Sequence, residues 1–194
     1  MTPSRMIAAG VLIAICGSVS GLDESAQLKI LTVLIPTISQ EFVSNLTPEE
    51  SQAIEQANHD VKELKAKGHT LSDEVETAVI RNYSPSAYEK TVKYEKEFAK
   101  MLVGLPENVR NALDKILEDK NSVDLGDMSD ESLSILLVSL ANAFKPLTEA
   151  ERSSLSQTFP NYATVLKDPK FVKIMEAKDE ESQLKLAADF LQNL

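Results

Sequence analysis

Apolar residues recur at intervals of three and four along most of the chain, which is the spacing of one face of an α-helix. The segment from Pro48 to Lys67 shows this spacing with few apolar residues, so it is predicted to be an amphipathic outer helix. Thr47 and Glu50 predict a capping box at its start, and Gly68 predicts its end. Its apolar positions are Ala53, Ile54, Ala57, Val61 and Leu64.

Proline, glycine and capping residues divide the rest of the chain into further short helices. Pro36 predicts that the apolar segment 22–45 forms two short helices or one broken helix. Residues 121–130, with Gly126 and three aspartates, are predicted to be a solvated loop; the spacing of the aspartates does not fit an EF-hand calcium loop. The other predicted helix starts are Ser72, Ser86, Pro106, Leu133, Thr148, Asp168 and Asp179.

The segment Leu133–Phe144 (LSILLVSLANAF) differs from the others because its apolar residues cover almost the whole circumference of a helix. Such a helix is normally enclosed by other elements, and this one is too short to cross a membrane. It is therefore predicted to be the central helix. The pattern as a whole predicts an all-α fold, a single compact domain of about eight or more short helices.

The N-terminal residues have the pattern of a secretory signal peptide. Arg5 precedes an apolar run, MIAAGVLIAIC, and small residues follow it as far as Gly21. The alternative, a buried N-terminal helix, fits this order of charge, apolar run and small residues less well. We expect residues 1–21 to be the signal peptide and residues 22–194 to be the mature domain. Cys16, the only cysteine, lies in the segment that is removed, so the secreted domain is expected to contain no disulfide.

The charge of the chain argues against nucleic acid as a partner. The 20 basic and 30 acidic residues give a net charge of −10, which repels phosphate backbones. Only three glycines follow residue 21, and the chain has no tryptophan, a composition that does not favour a β-sandwich. Asn45 and Asn82 begin sequons, but both lie at predicted helix boundaries, where such residues also serve as caps.

The sequence shows no catalytic motif and predicts no enzyme. It has no nucleophile elbow, no glycine-rich phosphate loop and no cysteine after Cys16. His59 and His69 lie ten residues apart with no partner for a zinc site, and nothing marks a shaped, dry pocket for a general base. No metal and no cofactor are expected.

Several blocks of the sequence together resemble the nematode fatty-acid- and retinol-binding protein family. The first block is Ile35-Pro36, Phe42, Asn45-Leu46-Thr47 and Glu49-Glu50. The later blocks, in the same order as in that family, are Tyr88-x-Lys90, Leu105-Pro106, Leu147-Thr148-x-x-Glu151, Phe159-Pro160 and Lys167-Asp168-Pro169-Lys170-Phe171. The likeness covers about residues 35–175, and the chain departs from the family pattern around residues 62–71 and after Met175.

The resemblance implies a secreted, all-helical, non-catalytic carrier that holds fatty acids and retinol in an internal apolar cavity. We expect at most transient membrane contact, during lipid exchange. The carboxylate need not be buried, because an unpaired buried charge is costly and a lysine or arginine at the mouth of the cavity would suffice to pair with it. The alternative is a secreted helical protein-interaction module with a solid core. Under the carrier hypothesis the candidate lining residues are Phe98, Leu102, Leu113, Ile116, Leu133, Leu136, Leu137, Leu140 and Phe144.

Overall fold

The computed structural model describes residues 35–120 and 130–192, and within these ranges it contains ten α-helices and no strand. The all-α fold class is therefore confirmed. None of the described helices is both long enough and apolar enough to cross a membrane. The helices are α1 (Thr37–Ser44), α2 (Pro48–Ala66), α3 (Asp73–Tyr83), α4 (Pro85–Val103), α5 (Glu107–Lys120), α6 (Asp130–Phe144), α7 (Glu149–Thr158), α8 (Pro160–Lys167), α9 (Pro169–Glu176) and α10 (Glu180–Gln192).

Helix α2 begins and ends as its sequence predicts. The Thr47 hydroxyl accepts a hydrogen bond from the Glu50 backbone N–H at 3.3 Å, and the Glu50 carboxylate accepts one from the Thr47 N–H at 2.8 Å. Gly68 has a φ of 87°, a left-handed conformation that glycine adopts without strain. The N–H of His69 donates to the Leu64 carbonyl and that of Gly68 to the Lys65 carbonyl. These two bonds form a Schellman motif, which ends the helix.

The start of α4 was predicted at Ser86, and this prediction is wrong by two residues. Ser84 is the N-cap: its hydroxyl accepts a hydrogen bond from the Ala87 N–H at 3.2 Å. Pro85 then occupies the first helical position, where a proline has the right φ and its missing N–H costs nothing.

Helix α8 is not among the predicted helices, because the pair Phe159-Pro160 predicts the end of the helix that starts at Thr148. The structure places Pro160 at the first position of α8 instead. Phe159 is the C-cap of α7 and also the residue that precedes α8, so the two helices follow each other with one residue between them. The predicted starts at Thr148 and Asp168 are confirmed, since both side chains cap the helices that follow them.

Helix α6 is the central helix of the fold and packs against α5, α9 and α10. Most of its side chains are buried, as its apolar circumference predicts, but Ile135 is 41% exposed. The helix is therefore enclosed by other elements on most of its circumference, and a narrow strip that includes Ile135 is exposed to solvent. On the other side of the domain, α2, α3 and α4 pack against one another, and α1 lies on α4. The predicted loop 121–130 lies outside the described residues, except that α6 begins at Asp130.

Candidate functional site

The nine predicted lining residues all belong to one region of the interior. Seven of them are buried members of a single apolar cluster, and the other two, Phe98 and Leu102, are half-buried and pack against it. The buried seven are Leu113, Ile116, Leu133, Leu136, Leu137, Leu140 and Phe144. The structure thus brings these side chains together, while their contact with a ligand and the enclosed cavity stay predictions.

A series of aromatic contacts runs through this cluster from α4 to α6. The ring centroids of Phe98 and Phe159 lie 5.8 Å apart, and those of Phe159 and Tyr162 lie 6.0 Å apart. Tyr162 in turn meets Phe144 edge to face at 5.2 Å. These contacts connect a predicted lining residue of α4 with one at the end of the central helix.

The same series continues outward from Phe98 to α1. Tyr94 lies 5.8 Å from Phe98 between ring centroids, and its other side stacks on Phe42 at 4.6 Å with 22° between the ring planes. The Tyr94 hydroxyl lies 2.8 Å from that of Ser39 in a buried hydrogen bond. Burial raises the pKa of Tyr94 to about 12, so its phenol stays neutral at physiological pH.

A groove of about 500 Å³ lies between α1 and α4, directly above these stacked rings. Its volume falls within the range of small-molecule sites, about 300–1,000 Å³. The lining combines apolar and charged side chains, an arrangement that suits an amphipathic molecule. The lining residues are Ile38, Glu41, Phe42 and Asn45 from α1 and its C-cap, and Lys90, Lys93, Tyr94 and Glu97 from α4.

Lys90 lines the groove and connects α4 with the C-cap of α1 and with the first turn of α2. Its ammonium group donates to the Glu50 carboxylate at 2.6 Å and to the Asn45 carbonyl at 2.8 Å. The hydrogen bond from Lys90, together with the one from the Thr47 N–H, holds the pKa of Glu50 below its ordinary value. The ends of α1 and α2 are therefore held against α4 at this point.

Both histidines lie at the surface. His59 is exposed on α2, with ring nitrogens 3.9 Å from Asp60 and 4.0 Å from Glu63, and His69 is exposed just beyond the end of that helix. Among the described residues, no group of three or more histidine, cysteine or acidic side chains could hold a metal ion.

The groove residues were not predicted as a site from the sequence. In the sequence Phe42 belongs to one of the family blocks, whereas Tyr94 belongs to none of them. Their stacking joins residues far apart in the chain, so no local pattern contains it.

A family model described as nematode fatty acid retinoid binding protein (Gp-FAR-1) matches residues 32–178. No curated protein and no solved structure matches the chain.

Proposed function

The chain belongs to the nematode fatty acid retinoid binding protein family, and from this membership we propose that it is a secreted, non-catalytic carrier of fatty acids and retinol. The match covers α1 to α9 and includes every predicted lining residue. This match is the observation that carries the proposal, because an apolar helical interior alone is equally typical of a solid core.

The interior offers the chemistry that an acyl chain or a retinoid needs. Among the described residues, most buried side chains of α6 and α10 are aliphatic or aromatic, and Ser134 and Gln183 are the buried polar ones. Withdrawal of a sixteen-carbon chain from water gains about 12 kcal/mol at ~0.8 kcal/mol per CH₂. Losses of ligand freedom take back several kcal/mol, and a net of about 8–10 kcal/mol corresponds to micromolar binding or tighter. Apolar burial alone is therefore sufficient for a carrier.

The ligand's polar end is expected to stay at the surface, since burial of an unpaired carboxylate is costly. An exposed ion pair contributes about 1 kcal/mol or less, so retinol, which is uncharged, should bind with a strength comparable to that of oleate. For the same reason the binding of oleate should depend only weakly on salt.

Two measurements test the carrier against the solid-core alternative. Protein purified from cells is extracted and the extract is analysed by mass spectrometry; a carrier should release fatty acid, whereas a protein-interaction module should not. The delipidated protein is then titrated with oleate and with retinol at low and high salt, and its unfolding midpoint is followed, because a ligand that binds the folded state raises it. Absence of binding by both ligands would remove the proposal.

We also propose that the protein acts outside the cell. The proposal is supported by the signal-peptide pattern of residues 1–21, which lie outside the described residues. Membrane contact is limited to transient encounters in which lipid is exchanged, which agrees with a net charge of −10 that disfavours anionic surfaces.

A further inference from the structure

We propose that the groove between α1 and α4 holds the carboxylate end of a bound fatty acid and that Lys93 pairs with this carboxylate. The inference rests on the proposed function, because it assigns the polar end of the ligand to a particular surface. It adds a residue and a direction: the carboxylate lies at the α1–α4 surface, and the acyl chain extends toward the central helix.

The first support is the distribution of apolar and polar side chains in the groove. Phe42 and Tyr94 are buried and stacked, so the bottom of the groove is an apolar surface made of two rings. Ile38 adds aliphatic surface beside them. Glu41, Lys93 and Glu97 belong to the exposed edge. A molecule with an apolar chain and one charged end matches this arrangement.

The second support is the difference in hydrogen bonding between Lys90 and Lys93, the two lysines that line the groove. Lys90 is already engaged by Glu50 and by the Asn45 carbonyl. The ammonium group of Lys93 makes no hydrogen bond or ion pair with any of the described residues. It is exposed at the edge of a groove of ligand size, so it can bind a carboxylate without breaking an interaction with any described residue.

The third support is the continuity between the groove and the interior. Tyr94 stacks on Phe42 at the bottom of the groove and contacts Phe98 on its inner side, and Phe98 packs against the apolar cluster. Apolar side chains in mutual contact therefore connect the groove with the cluster around α6, and this is the direction that we assign to the acyl chain. Burial of that chain supplies most of the affinity, while Lys93 sets the position of the charged end.

Lys93 and Glu97, two of the three exposed charged residues that line the groove, give predictions of opposite sign. Lys93→Gln removes the cation and should weaken oleate binding by about two- to fivefold, the range that an exposed ion pair supports. Glu97→Gln removes a negative charge from the same groove and should tighten oleate binding by a similar factor. Retinol carries no charge, so its dissociation constant should stay unchanged in both variants.

The experiment measures dissociation constants of oleate and retinol for the delipidated full chain at low and high salt. Lys185→Gln, an exposed lysine of α10 outside the groove, is the matched control for loss of one positive charge. The unfolding midpoints of all variants are measured without ligand to show that each is folded. The opposite shifts should be largest at low salt and should shrink at high salt, because exposed charges are screened.

The possible results separate this inference from the proposed function. If the wild type binds both ligands but Lys93→Gln behaves like Lys185→Gln with oleate, the carrier stands and the groove is not its carboxylate site. If Lys93→Gln weakens retinol as much as oleate, the effect is not electrostatic and the inference is overturned. If the wild type binds neither ligand, the proposed function and the inference both fall.

Discussion

The ammonium group of Lys90 lies 2.6 Å from a carboxylate oxygen of Glu50, and this ion pair joins α4 to the first turn of α2. The same carboxylate accepts the Thr47 N–H, so one side chain both caps a helix and binds its neighbour. The Glu50 side chain is only 8% exposed, whereas that of Lys90 is 39% exposed. Loss of the carboxylate therefore affects two connections at once.

Glu50→Gln should lower the free energy of unfolding at neutral pH by about 1.5 kcal/mol. This is the lower end for a hydrogen bond to a charged group, chosen because Lys90 remains partly solvated. The pKa of Glu50 is lowered in the folded state, so its ionisation stabilises the fold above the ordinary carboxyl pKa. That contribution is lost as the pH falls through the lowered pKa, so the difference between wild type and variant should shrink below about pH 4.

Denaturant unfolding from neutral pH to about pH 3 measures this difference. Glu55→Gln, an exposed position on the same helix, is the control and should show little change. A difference for Glu50→Gln that stays constant over the whole pH range would show that its charge does not contribute.

Leu137→Ala tests whether the side chains around the central helix form a close-packed core or line a cavity. Leu137 is fully buried on α6. In a solid core the loss of unfolding free energy would be about 2–5 kcal/mol. In a carrier part of the cavity already exists in the wild type, so we expect about 2 kcal/mol or less for the lipid-free protein.

The matched control for this change is Leu155→Ala. Leu155 is also fully buried, but it lies on α7 and is not a candidate lining residue, so its replacement should cost the full ~2–5 kcal/mol. Urea unfolding of both delipidated variants gives the comparison. Equal, large losses at the two positions would favour the solid core.

Two glycines offer a test of helix ends that depends on backbone conformation alone. An added Cβ would meet no atom within 4 Å at Gly68 or at Gly104, but only Gly68 has a positive φ. Gly68→Ala should therefore destabilise the protein by about 1–2 kcal/mol. Gly104→Ala, with a φ of −78°, should be neutral or stabilise it by up to ~1 kcal/mol. Thermal unfolding distinguishes the two, and a similar loss in both variants would contradict this account.

Exported protein should begin near Gly21 or Leu22, because small residues precede that point and follow the apolar run. N-terminal sequencing of protein collected from the medium measures this. Extracellular protein that still begins at Met1 would refute the predicted cleavage.

The sequence predicted those helix starts that are fixed by a capping side chain close to the start of the helix. Thr47 and Thr148 both form capping boxes, and Asp168 caps α9, as their spacing to the following residues predicts. The two wrong predictions, the start of α4 and the missing α8, also have local causes. Ser84 and Ser86 both fit a start, and Pro85 at the first helical position decides between them; Pro160 begins a helix rather than a connection.

In the candidate site, too, the sequence could predict some features and not others. The burial of seven candidate lining residues could be predicted because their apolar spacing on α5 and α6 is visible in the sequence. The groove could not, because the Phe42–Tyr94 stack and the contact of Lys90 with Glu50 join separate helices. Such pairs are fixed by the way whole helices pack, and a single sequence contains no local record of that packing.

The position of α10 against α6 has a consequence for the order in which the domain can fold. Gln183 of α10 and Asn142 of α6 exchange hydrogen bonds at 2.8 and 3.3 Å across a separation of 41 residues. During synthesis α6 therefore emerges well before the helix that covers it. In that interval its apolar side is open to other nascent chains, which makes it prone to aggregation. The surface of α6 that contacts α10 is covered only when α10 has been made, so a chain stopped before that helix would keep apolar side chains of α6 exposed.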